Sequence, residues 1–445
     1  MNRKTGCVLV VAILIIAVAA CLYSAKVNAK LAPLFVKGAS VYDYSGPVFL
    51  VGANVGSQAW NPIKYGQWDD WWTYRERDAD NIKSYGLNSI RLLVYWEALE
   101  KSSSPNEFRY DQNYVSRLKE TVEAYNRRGI YVIIDLHRHS LTAGSMLGRF
   151  MPMAGGGDGF AKEWFVATGP TSAREHLKRV WLMLSDLFKD DTGVAGYDLC
   201  NEPHLGDASL TPQQVADAWL DIVDYVTGAL RANADTHMIF VNFAPLAQSA
   251  AYLSRKATDP NTLYEPHFYQ GIELSNYTVT NNKLDWLREA FGARDTHIFD
   301  QMARFNVPFV IGEFGFEPKT LYPGDSRYIW LRNALTVFLE SSTLCGLFYY
   351  SYMAFGGNIR GDGWQRILTE YTTDKPTNVH YVGWWQSARS VLRIVGAEGT
   401  ELALSSSIRR LPTCSMHFRD AEPDLARTLC RDFLSNFHID TEIFA

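Results

Sequence analysis

The sequence predicts an α/β protein whose main body is a closed (β/α)₈ barrel, the TIM-barrel architecture. From about residue 48, short β-rich runs alternate with longer helical patterns. There are eight such runs, which is the number of strands in this kind of barrel. Most are almost continuously apolar, as expected for a parallel sheet that helices cover on both faces.

The eight candidate strands are rich in β-branched and aromatic residues and are separated by turn-forming or helical segments. In chain order they are Val48–Asn54, Ser89–Tyr95, Tyr131–His137, Gly196–Asn201, Met238–Phe243, Leu263–Phe268, Pro308–Glu313 and Gly346–Ser351.

The helical patterns repeat apolar residues at three- and four-residue spacing. Gly129 ends one of them as a C-cap would, and Thr211-Pro212 opens another, because Thr caps a helix and Pro suits its first position. A short or irregular helix is expected after the fifth strand. The other predicted helices are Trp68–Tyr85, Asn113–Arg128, Thr171–Phe188, Thr211–Asn233, His297–Phe305, Arg327–Ser341 and Tyr381–Val395.

An open, doubly wound sheet is the alternative fold. It would usually carry a glycine-rich phosphate-binding turn after an early strand. The chain contains neither a GxGxxG nor a GxxxxGK[S/T] motif. The run Gly155–Gly159 follows no predicted strand and opens no helix, so we interpret it as a loop. The barrel is therefore the preferred fold.

Composition and charge exclude several classes of protein. Of the 445 residues, 47% are hydrophobic and 20% are charged, which does not fit a disordered or collagen-like chain. The formal net charge is −5 and no run is rich in Lys and Arg, so no nucleic-acid partner is expected.

Residues 1–29 have the features of an export leader. A short basic segment precedes an apolar run from Cys7 to Tyr23, which is shorter than the ~20 residues of a comfortable membrane span. Three outcomes stay open: lipidation at Cys21, cleavage after Ala29, or retention as an anchor. All three place the folded part outside the cytoplasm, and lipidation or retention would attach it to a membrane.

The remaining cysteines suggest no metal site. Cys200 and Cys345 lie next to predicted strands and are expected to be small buried apolar residues. Cys414 and Cys430 could form a disulfide in an oxidising compartment. No CxxC pair or zinc-type His/Cys spacing is present.

Polar and ionisable residues gather where the predicted strands end, which is where the active site of such a barrel lies. A single polar residue at a strand end is commonly part of the core, with its hydrogen bonds satisfied. Polar residues at several strand ends in register are typical of an active site. They are Asn54, Arg91 with Trp96-Glu97, Asp135-Leu136-His137, Asn201-Glu202-Pro203, His267-Phe268-Tyr269, Glu313 and Tyr349-Tyr350-Ser351.

Two carboxylates are the chemical centre of this pattern. Glu202 and Glu313 end the fourth and seventh strands, so both side chains can reach over the barrel mouth. Retaining glycoside hydrolysis requires two carboxyl groups about 5–5.5 Å apart, one to attack the anomeric carbon and one to move the proton. Arg91 can keep one carboxyl ionised, and Asn201 can donate to a sugar 2-hydroxyl.

These motifs resemble glycoside hydrolase family 5, the cellulase-like family of the retaining barrel clan, over roughly residues 33–395. Their order and spacing along the strands carry the resemblance. The matching segments are the first strand Gly46–Asn54, Arg91, Asp135-Leu136-His137, Asn201-Glu202-Pro203, His267-Phe268-Tyr269 and Gly312-Glu313-Phe314-Gly315.

The resemblance implies the catalytic roles and the support around them. Glu202 would be the acid/base and Glu313 the nucleophile. Asn201 would contact the sugar 2-hydroxyl, while Arg91 and Tyr269 would hold Glu313 ionised and oriented.

The resemblance also implies the substrate-binding residues of the −1 sugar subsite. His137 and His267 would line this subsite. Where the family usually has a Trp on the eighth strand, this chain has Tyr350, which can also stack on a sugar face. The long connection from His139 to Pro170 is expected to form one wall of the cleft. The chemistry requires no metal or organic cofactor.

The resemblance implies a monomeric enzyme acting on a β-linked carbohydrate. A glucan- or mannan-type poly- or oligosaccharide is expected, and an endoglycoceramidase-like glycolipid hydrolase is the alternative. A non-catalytic carbohydrate-binding barrel would lose one of the two carboxylates, and both are present. The chain would then divide into the leader (1–29), the catalytic barrel (30–395) and a C-terminal extension without an assigned role (396–445).

Overall fold

A small antiparallel sheet that the sequence pattern does not predict precedes the barrel. The computed structural model describes residues 30–56, 76–84, 87–137, 160–206, 209–269, 284–292, 296–315 and 326–352. The sheet consists of β1 (Phe35–Lys37), β2 (Ser40–Asp43) and β3 (Gly46–Pro47). Apolar side chains of this segment, Val41 and Val48 among them, pack against the first residues of the barrel strands. The sheet therefore closes the N-terminal end of the barrel.

Eight parallel strand positions form the closed barrel that the alternating pattern predicts. β12 pairs with β4 through Gly346 and Leu50, and this pairing closes the ring. The strands are β4 (Leu50–Val55), β5 (Ser89–Tyr95), β6 (Tyr131–His137), β7 (Val194–Asp198), β8 (Met238–Val241), β9 (Thr262–Tyr264), β10 (His267–Phe268), β11 (Phe309–Phe314) and β12 (Leu344–Tyr352).

The sixth strand position differs from its prediction because it is divided. The pattern predicts one strand over Leu263–Phe268, whereas β9 and β10 are separated by Glu265 and Pro266. Pro266 has no backbone N–H to donate to the sheet. Its carbonyl still accepts a hydrogen bond from the Gly312 backbone N–H at 3.0 Å, so both halves remain beside β11.

Two other predicted strands end early. β7 ends at Asp198 and β8 at Val241, whereas the predicted strands continue to Asn201 and Phe243. Beyond β7 the chain still lies between its neighbours, because the Asn201 N–H donates to the Leu136 carbonyl at 3.2 Å. The residues that follow these strands are thereby directed into the barrel mouth.

The predicted helices that fall within the described residues are present, except the one after the fifth strand, and the short helices α2 and α4 were not predicted. Residues 242–261 form turns and bends, so the short helix expected after the fifth strand is wrong, and α7 was not predicted. Tyr381–Val395 lies outside the described residues. The helices are α1 (Glu76–Ser84), α2 (Trp96–Leu99), α3 (Gln112–Asn126), α4 (Lys162–Val166), α5 (Ala173–Phe188), α6 (Pro212–Ala232), α7 (Leu284–Phe291), α8 (Ile298–Phe305) and α9 (Ser326–Phe338).

Helix starts follow the capping residues in the sequence. Thr211 forms a capping box with Gln214 ahead of α6, in which each side chain hydrogen-bonds to the backbone of the other residue. Asp111 caps α3 by accepting from two backbone N–H groups. Both caps fix where helices begin on the outside of the barrel.

Two layers of apolar side chains surround the strands. The inner layer fills the barrel beneath its mouth with residues such as Met238, Phe240 and Phe348. The outer layer lies between strands and helices and includes the fully buried Trp181 and Trp330. The mouth at the C-terminal ends of the strands is the part of the interior where polar groups collect.

Several predictions concern residues outside the described part of the chain. They are the leader, most of the His139–Pro170 connection with Gly155–Gly159, and the extension carrying Cys414 and Cys430. Cys200 and Cys345 are buried, as predicted. Among the described helices, none has the length and apolar character needed to span a membrane.

Candidate active site

Seven of the eight predicted site residues lie at or directly after the C-terminal ends of the barrel strands, and the eighth, Arg91, is the third residue of β5. They belong to six different strand positions, so the closure of the barrel brings them together. Arg91 lies on β5, His137 ends β6, Asn201 and Glu202 follow β7, His267 lies on β10 with Tyr269 directly after it, Glu313 lies on β11 and Tyr350 on β12.

Strand alternation directs most of these side chains inward. Ile90 and Leu92 belong to the outer apolar layer, so Arg91 between them points into the barrel. In the same way, His267 points inward because the neighbouring Phe268 packs outward against Phe291.

Glu313 reaches the mouth through an irregularity in β11. Phe309 and Ile311 face the outer layer, and strict alternation would turn Glu313 outward as well. The register with β12 shifts between Ile311 and Phe314, so that Phe314 faces outward instead. This shift, of the kind that a β-bulge produces, aims Glu313 at the site.

Glu202 and Glu313 are close neighbours. One carboxylate oxygen of each and one ring nitrogen of His267 all lie within 4.8 Å of one another. His267 Nδ1 is 2.7 Å from Glu202 Oε1 and 3.5 Å from Glu313 Oε2, so this ring lies between the two carboxylates. The spacing is that of a pair that can act on one glycosidic bond by double displacement, about 5–5.5 Å.

The two carboxylates differ in their surroundings. The side chain of Glu202 is 32% exposed, whereas that of Glu313 is only 6% exposed. The Glu202 backbone has a φ of 43°, a conformation that is unusual for a residue other than glycine and often found at functional sites. Asn242 supports it, because its Oδ1 accepts from the Glu202 N–H at 3.2 Å.

Both oxygens of Glu313 accept hydrogen bonds. Arg91 Nη1 donates to Oε1 at 2.8 Å, and the Tyr269 hydroxyl donates to Oε2 at 2.9 Å. Burial raises the pKa of Tyr269 well above its usual value, so the phenol keeps the proton that it donates. These two donors hold both oxygens of Glu313 in place.

Arg91 is fully buried and holds several groups at once. It donates to Asn54 Oδ1 at 2.8 Å and to Asn201 Oδ1 at 2.9 Å, in addition to Glu313. Burial alone would lower the pKa of Arg91, but the carboxylates around it raise that pKa well above its usual value. Arg91 is therefore a permanent cation that orients the mouth of the barrel.

The two predicted histidines have different states. Burial lowers the pKa of His137 to about 4, so the ring is neutral near pH 7, and its Nδ1 lies 2.7 Å from Asp135 Oδ2. Burial also lowers the pKa of His267, but the charges of Glu313 and Glu202 outweigh it and raise that pKa.

Tyr350 lies close to the carboxylates. Burial raises its pKa well above the usual value, and the next contribution to that shift comes from the charge of Glu313. Tyr349 faces the outer layer, where its ring meets that of Phe314 edge-on with centroids 5.7 Å apart. Alternation therefore turns Tyr350 toward the mouth, where a sugar would lie.

The structure adds three polar residues that the sequence analysis does not include in the site. Asp198 and Glu265 contact Arg91, and Asn242 hydrogen-bonds to Asp198 and to Glu202. Each is a polar residue at the end of an apolar strand or directly after it, and this is the signal by which they could have been found.

Glu202, His267 and Glu313 are also the described residues whose donor atoms are close enough to meet one metal ion. Their mutual contacts and those with Arg91 and Tyr269 account for the arrangement. The donor set is thus explained as a carboxylate pair bridged by a histidine.

A closed (β/α)₈ barrel with two carboxylates this close at its C-terminal end has the geometry of a retaining glycoside hydrolase. The family model for cellulase, glycosyl hydrolase family 5, matches residues 53–344, and the chain belongs to this family. The protein is a glycoside hydrolase.

Its curated relatives are distant. An endoglucanase of Paenibacillus polymyxa is 26% identical over 324 residues, which cover 66% of this chain and 72% of the relative. Endoglycoceramidase I of Rhodococcus hoagii (strain 103S) is 25% identical over 314 residues, which cover 58% of this chain and 59% of the relative.

Solved structures share the fold. An endo-beta-1,4-glucanase from Xanthomonas axonopodis pv. citri has a TM-score of 0.55 at 17% identity and covers 77% of this chain and 99% of its own. The crystal structure of an endogalactoceramidase has a TM-score of 0.55 at 21% identity and covers 80% of this chain and 84% of its own. At these identities the likeness bears on the fold.

Proposed function

We propose that this enzyme cleaves β-linked bonds in a glucan- or mannan-type poly- or oligosaccharide by double displacement, with Glu313 as nucleophile and Glu202 as acid/base. The observation that carries the proposal is the pair of carboxylates within 4.8 Å, of which one is buried under two hydrogen-bond donors. Identical side chains in unlike surroundings can take opposite roles in one reaction.

In the first step a Glu313 oxygen attacks the anomeric carbon. The bond between that carbon and the glycosidic oxygen breaks, and Glu202 transfers its proton to the departing oxygen. The product is a glycosyl ester of Glu313. Arg91 and Tyr269 favour this step because they keep Glu313 ionised and hold both of its oxygens in place.

In the second step Glu202, now ionised, removes a proton from water. The hydroxide oxygen bonds to the anomeric carbon, and the ester bond to Glu313 breaks. Two inversions leave the sugar with its original β configuration. The exposure of Glu202 suits this step, since water must reach it.

The substrate would lie across the mouth on the remaining predicted residues. Asn201 Oδ1 accepts from Arg91, which fixes the amide so that its nitrogen can donate to the sugar 2-hydroxyl. His137 would hydrogen-bond to the same sugar in its neutral form. Tyr350 would stack against the sugar face where the family usually has Trp.

A glycolipid is the second candidate substrate. Endoglycoceramidases occur among the curated relatives, and the endogalactoceramidase structure covers 80% of this chain. Hydrolysis of β-glucan, β-mannan and glycosphingolipid, compared at equal enzyme concentration, distinguishes the two. Faster turnover of a glucan or mannan is expected, and activity on the glycolipid alone would replace the first proposal with the second.

We further propose that the enzyme works outside the cytoplasm as a monomer, secreted or attached to a membrane by its N-terminal segment. The apolar leader supports this location. A major extracellular endoglucanase of Xanthomonas campestris pv. campestris, 22% identical over 370 residues, is consistent with it.

Two variants test the proposed roles. Glu313→Ala should abolish turnover of an aryl β-glycoside, and azide should restore it with a product of inverted configuration, because azide replaces the missing nucleophile. Glu202→Gln should reduce turnover of substrates with poor leaving groups far more than of those with good ones, because only the former need the proton. Equal losses for both kinds of substrate would argue against acid catalysis by Glu202.

A further inference from the structure

Arg91 is surrounded by more carboxyl groups than one cation can neutralise. Its guanidinium nitrogens lie 2.6 Å from an oxygen of Asp198, 2.6 Å from one of Glu265, 2.8 Å from one of Glu313 and 3.1 Å from one of Asp135. Four negative charges would face one positive charge if every carboxyl were ionised. Burying such an excess of charge is very costly, so acids in this position tend to retain protons.

Three of these carboxyls form a layer beneath the catalytic pair, which we call the acid layer: Asp135, Asp198 and Glu265. All three are completely buried. Asp135 Oδ1 and both Glu265 oxygens have no aligned hydrogen-bond donor among the described residues, although Arg91 Nε is close to one of them. A buried carboxylate without donors is unfavourable, whereas a carboxylic acid supplies its own O–H.

Asp198 is the member with the best support for a negative charge. It accepts from Arg91 Nη2 at 2.6 Å and from Arg91 Nε at 3.1 Å. The amide of Asn242 donates to its two oxygens at 3.1 and 3.2 Å. Asp135 lies beside Asp198, because the two residues are partners in the register of β6 and β7.

The backbone provides the space for Glu265. A Cβ atom at Gly312 would lie 2.0 Å from Glu265 Oε1 and 2.5 Å from its carboxyl carbon. Gly312 immediately precedes Glu313, so the strand that carries one carboxylate is shaped to accommodate the other carboxyl. The backbone of β11 thus leaves room for the buried Glu265 carboxyl, which fits a positioning role for Glu265.

We propose that Asp135 and Glu265 are neutral carboxylic acids in the working enzyme, and that both donate a hydrogen bond to ionised Asp198. The acid layer then faces the Arg91 guanidinium with one negative charge instead of three, and Arg91 remains available to Glu313. Asp135, Asp198 and Glu265 are thus positioning residues. This inference rests on the proposed role of Glu313 as nucleophile.

The direction of the acid–base shifts agrees with this assignment. Burial raises the pKa of Asp135 and of Glu265 well above their usual values, and hydrogen bonding with Asp198 adds to both shifts. The other titratable or charged groups that face the acid layer are Arg91 on β5, Tyr114 on α3, His137 on β6 and His267 on β10, and Arg91 connects the layer to Glu313 on β11.

Three matched variants test the positioning role. Glu265→Gln keeps an acceptor for Arg91 and a donor for Asp198, whereas Glu265→Leu keeps neither. Asp198→Asn removes the negative charge that the layer shares. We expect Asp198→Asn and Glu265→Leu to lower kcat/KM at least about tenfold more than Glu265→Gln does, because they remove hydrogen bonds to charged groups. Equal losses for Glu265→Gln and Asp198→Asn would show that Glu265 is ionised and overturn the proposal.

The pH profile provides a readout that a purely structural role would not change. An aryl β-glycoside with a good leaving group is used, so that proton donation by Glu202 does not limit kcat/KM. Ionisation of Glu265 at high pH would draw Arg91 away from Glu313, so Glu265→Gln should move the alkaline limb to higher pH. An unchanged alkaline limb counts against the proposal.

A spectroscopic measurement is independent of activity. At neutral pH the infrared spectrum should contain carboxylic-acid C=O absorption with one component that is lost in Glu265→Gln and persists in Glu202→Gln, while the component of Asp135 remains in both variants. If that absorption is absent from the wild type, the proposal is overturned even when the enzyme is active. If the wild type hydrolyses no glycoside but the absorption behaves as expected, the proposed function fails while the protonation of the acid layer stands.

Discussion

Arg91 links Glu313 to the other polar residues of the site. It contacts Glu313, Asn201 and the acid layer through one planar group. A guanidinium can donate in several fixed directions at once, and a lysine ammonium cannot reproduce that pattern. The same residue therefore orients both Glu313 and Asn201.

Arg91→Lys should strongly reduce activity. The loss of directed hydrogen bonds to charged groups should lower kcat/KM by about 10- to 100-fold. Tyr269→Phe is the matched control, because it removes only the hydrogen bond to Glu313 Oε2 and should have the smaller effect. Steady-state kinetics on an aryl β-glycoside provides the comparison, and wild-type rates for Arg91→Lys would contradict the role given to Arg91.

At the scale of elements, the position of each site residue follows from strand alternation with local exceptions. Arg91 could be predicted to face inward because Ile90 and Leu92 flank it. The direction of the Glu313 side chain could not be predicted in this way, because it depends on the register shift in β11. That shift is set by pairing with β12, which is remote in sequence, so alternation within β11 gives the wrong face.

Other features of the fold could not be predicted from the sequence pattern for similar reasons. Pro266 divides the sixth strand, which the sequence pattern predicts as one strand over Leu263–Phe268. The β1–β3 sheet consists of very short strands whose burial depends on contact with the barrel, so its local pattern is weak. The acid layer was not predicted, because each strand of the sequence contributes only one of its residues. The excess of carboxyl groups arises only when β6, β7 and the β9–β10 segment come together in the barrel.

The close approach of β11 to Glu265 leads to a prediction about Gly312. Gly312→Ala should lower the free energy of unfolding by about 1–3 kcal/mol, because the new methyl group overlaps the Glu265 carboxyl. Gly228→Ala on α6 is the control, since a Cβ there meets no atom within 4 Å and should leave stability equal or higher. Denaturant unfolding measures both.

A double variant identifies the cause of any loss. Gly312→Ala combined with Glu265→Ala should recover part of the lost stability, because the overlapping carboxyl is removed. Strictly additive losses would mean that Gly312 does not serve to accommodate Glu265.

At the scale of the whole molecule, the buried protons link folding to pH. Glu265 has a raised pKa in the folded protein, whereas in the unfolded chain it ionises near its ordinary value of about 4.3. At a pH between these two pKa values, unfolding therefore releases the proton of Glu265. The stability that protonated Glu265 contributes is present at low pH and is lost as the pH rises through its folded-state pKa.

The stability of Glu265→Gln should therefore improve relative to the wild type as pH increases. The difference should grow by about 1.4 kcal/mol for each pH unit between the unfolded and folded pKa values of Glu265. Urea unfolding of both proteins at a series of pH values above about 4.3 tests this. A difference that stays constant with pH would mean that Glu265 is ionised in the folded state.

The barrel, the family and the paired carboxylates together predict a covalent glycosyl-enzyme intermediate on Glu313. Incubation with a 2-deoxy-2-fluoro β-glycoside, followed by digestion and mass spectrometry, would capture that intermediate. We expect the sugar on the peptide that contains Glu313, as an ester of that side chain. Labelling of any other residue, or release of the first hydrolysis product with inverted configuration, would contradict the account.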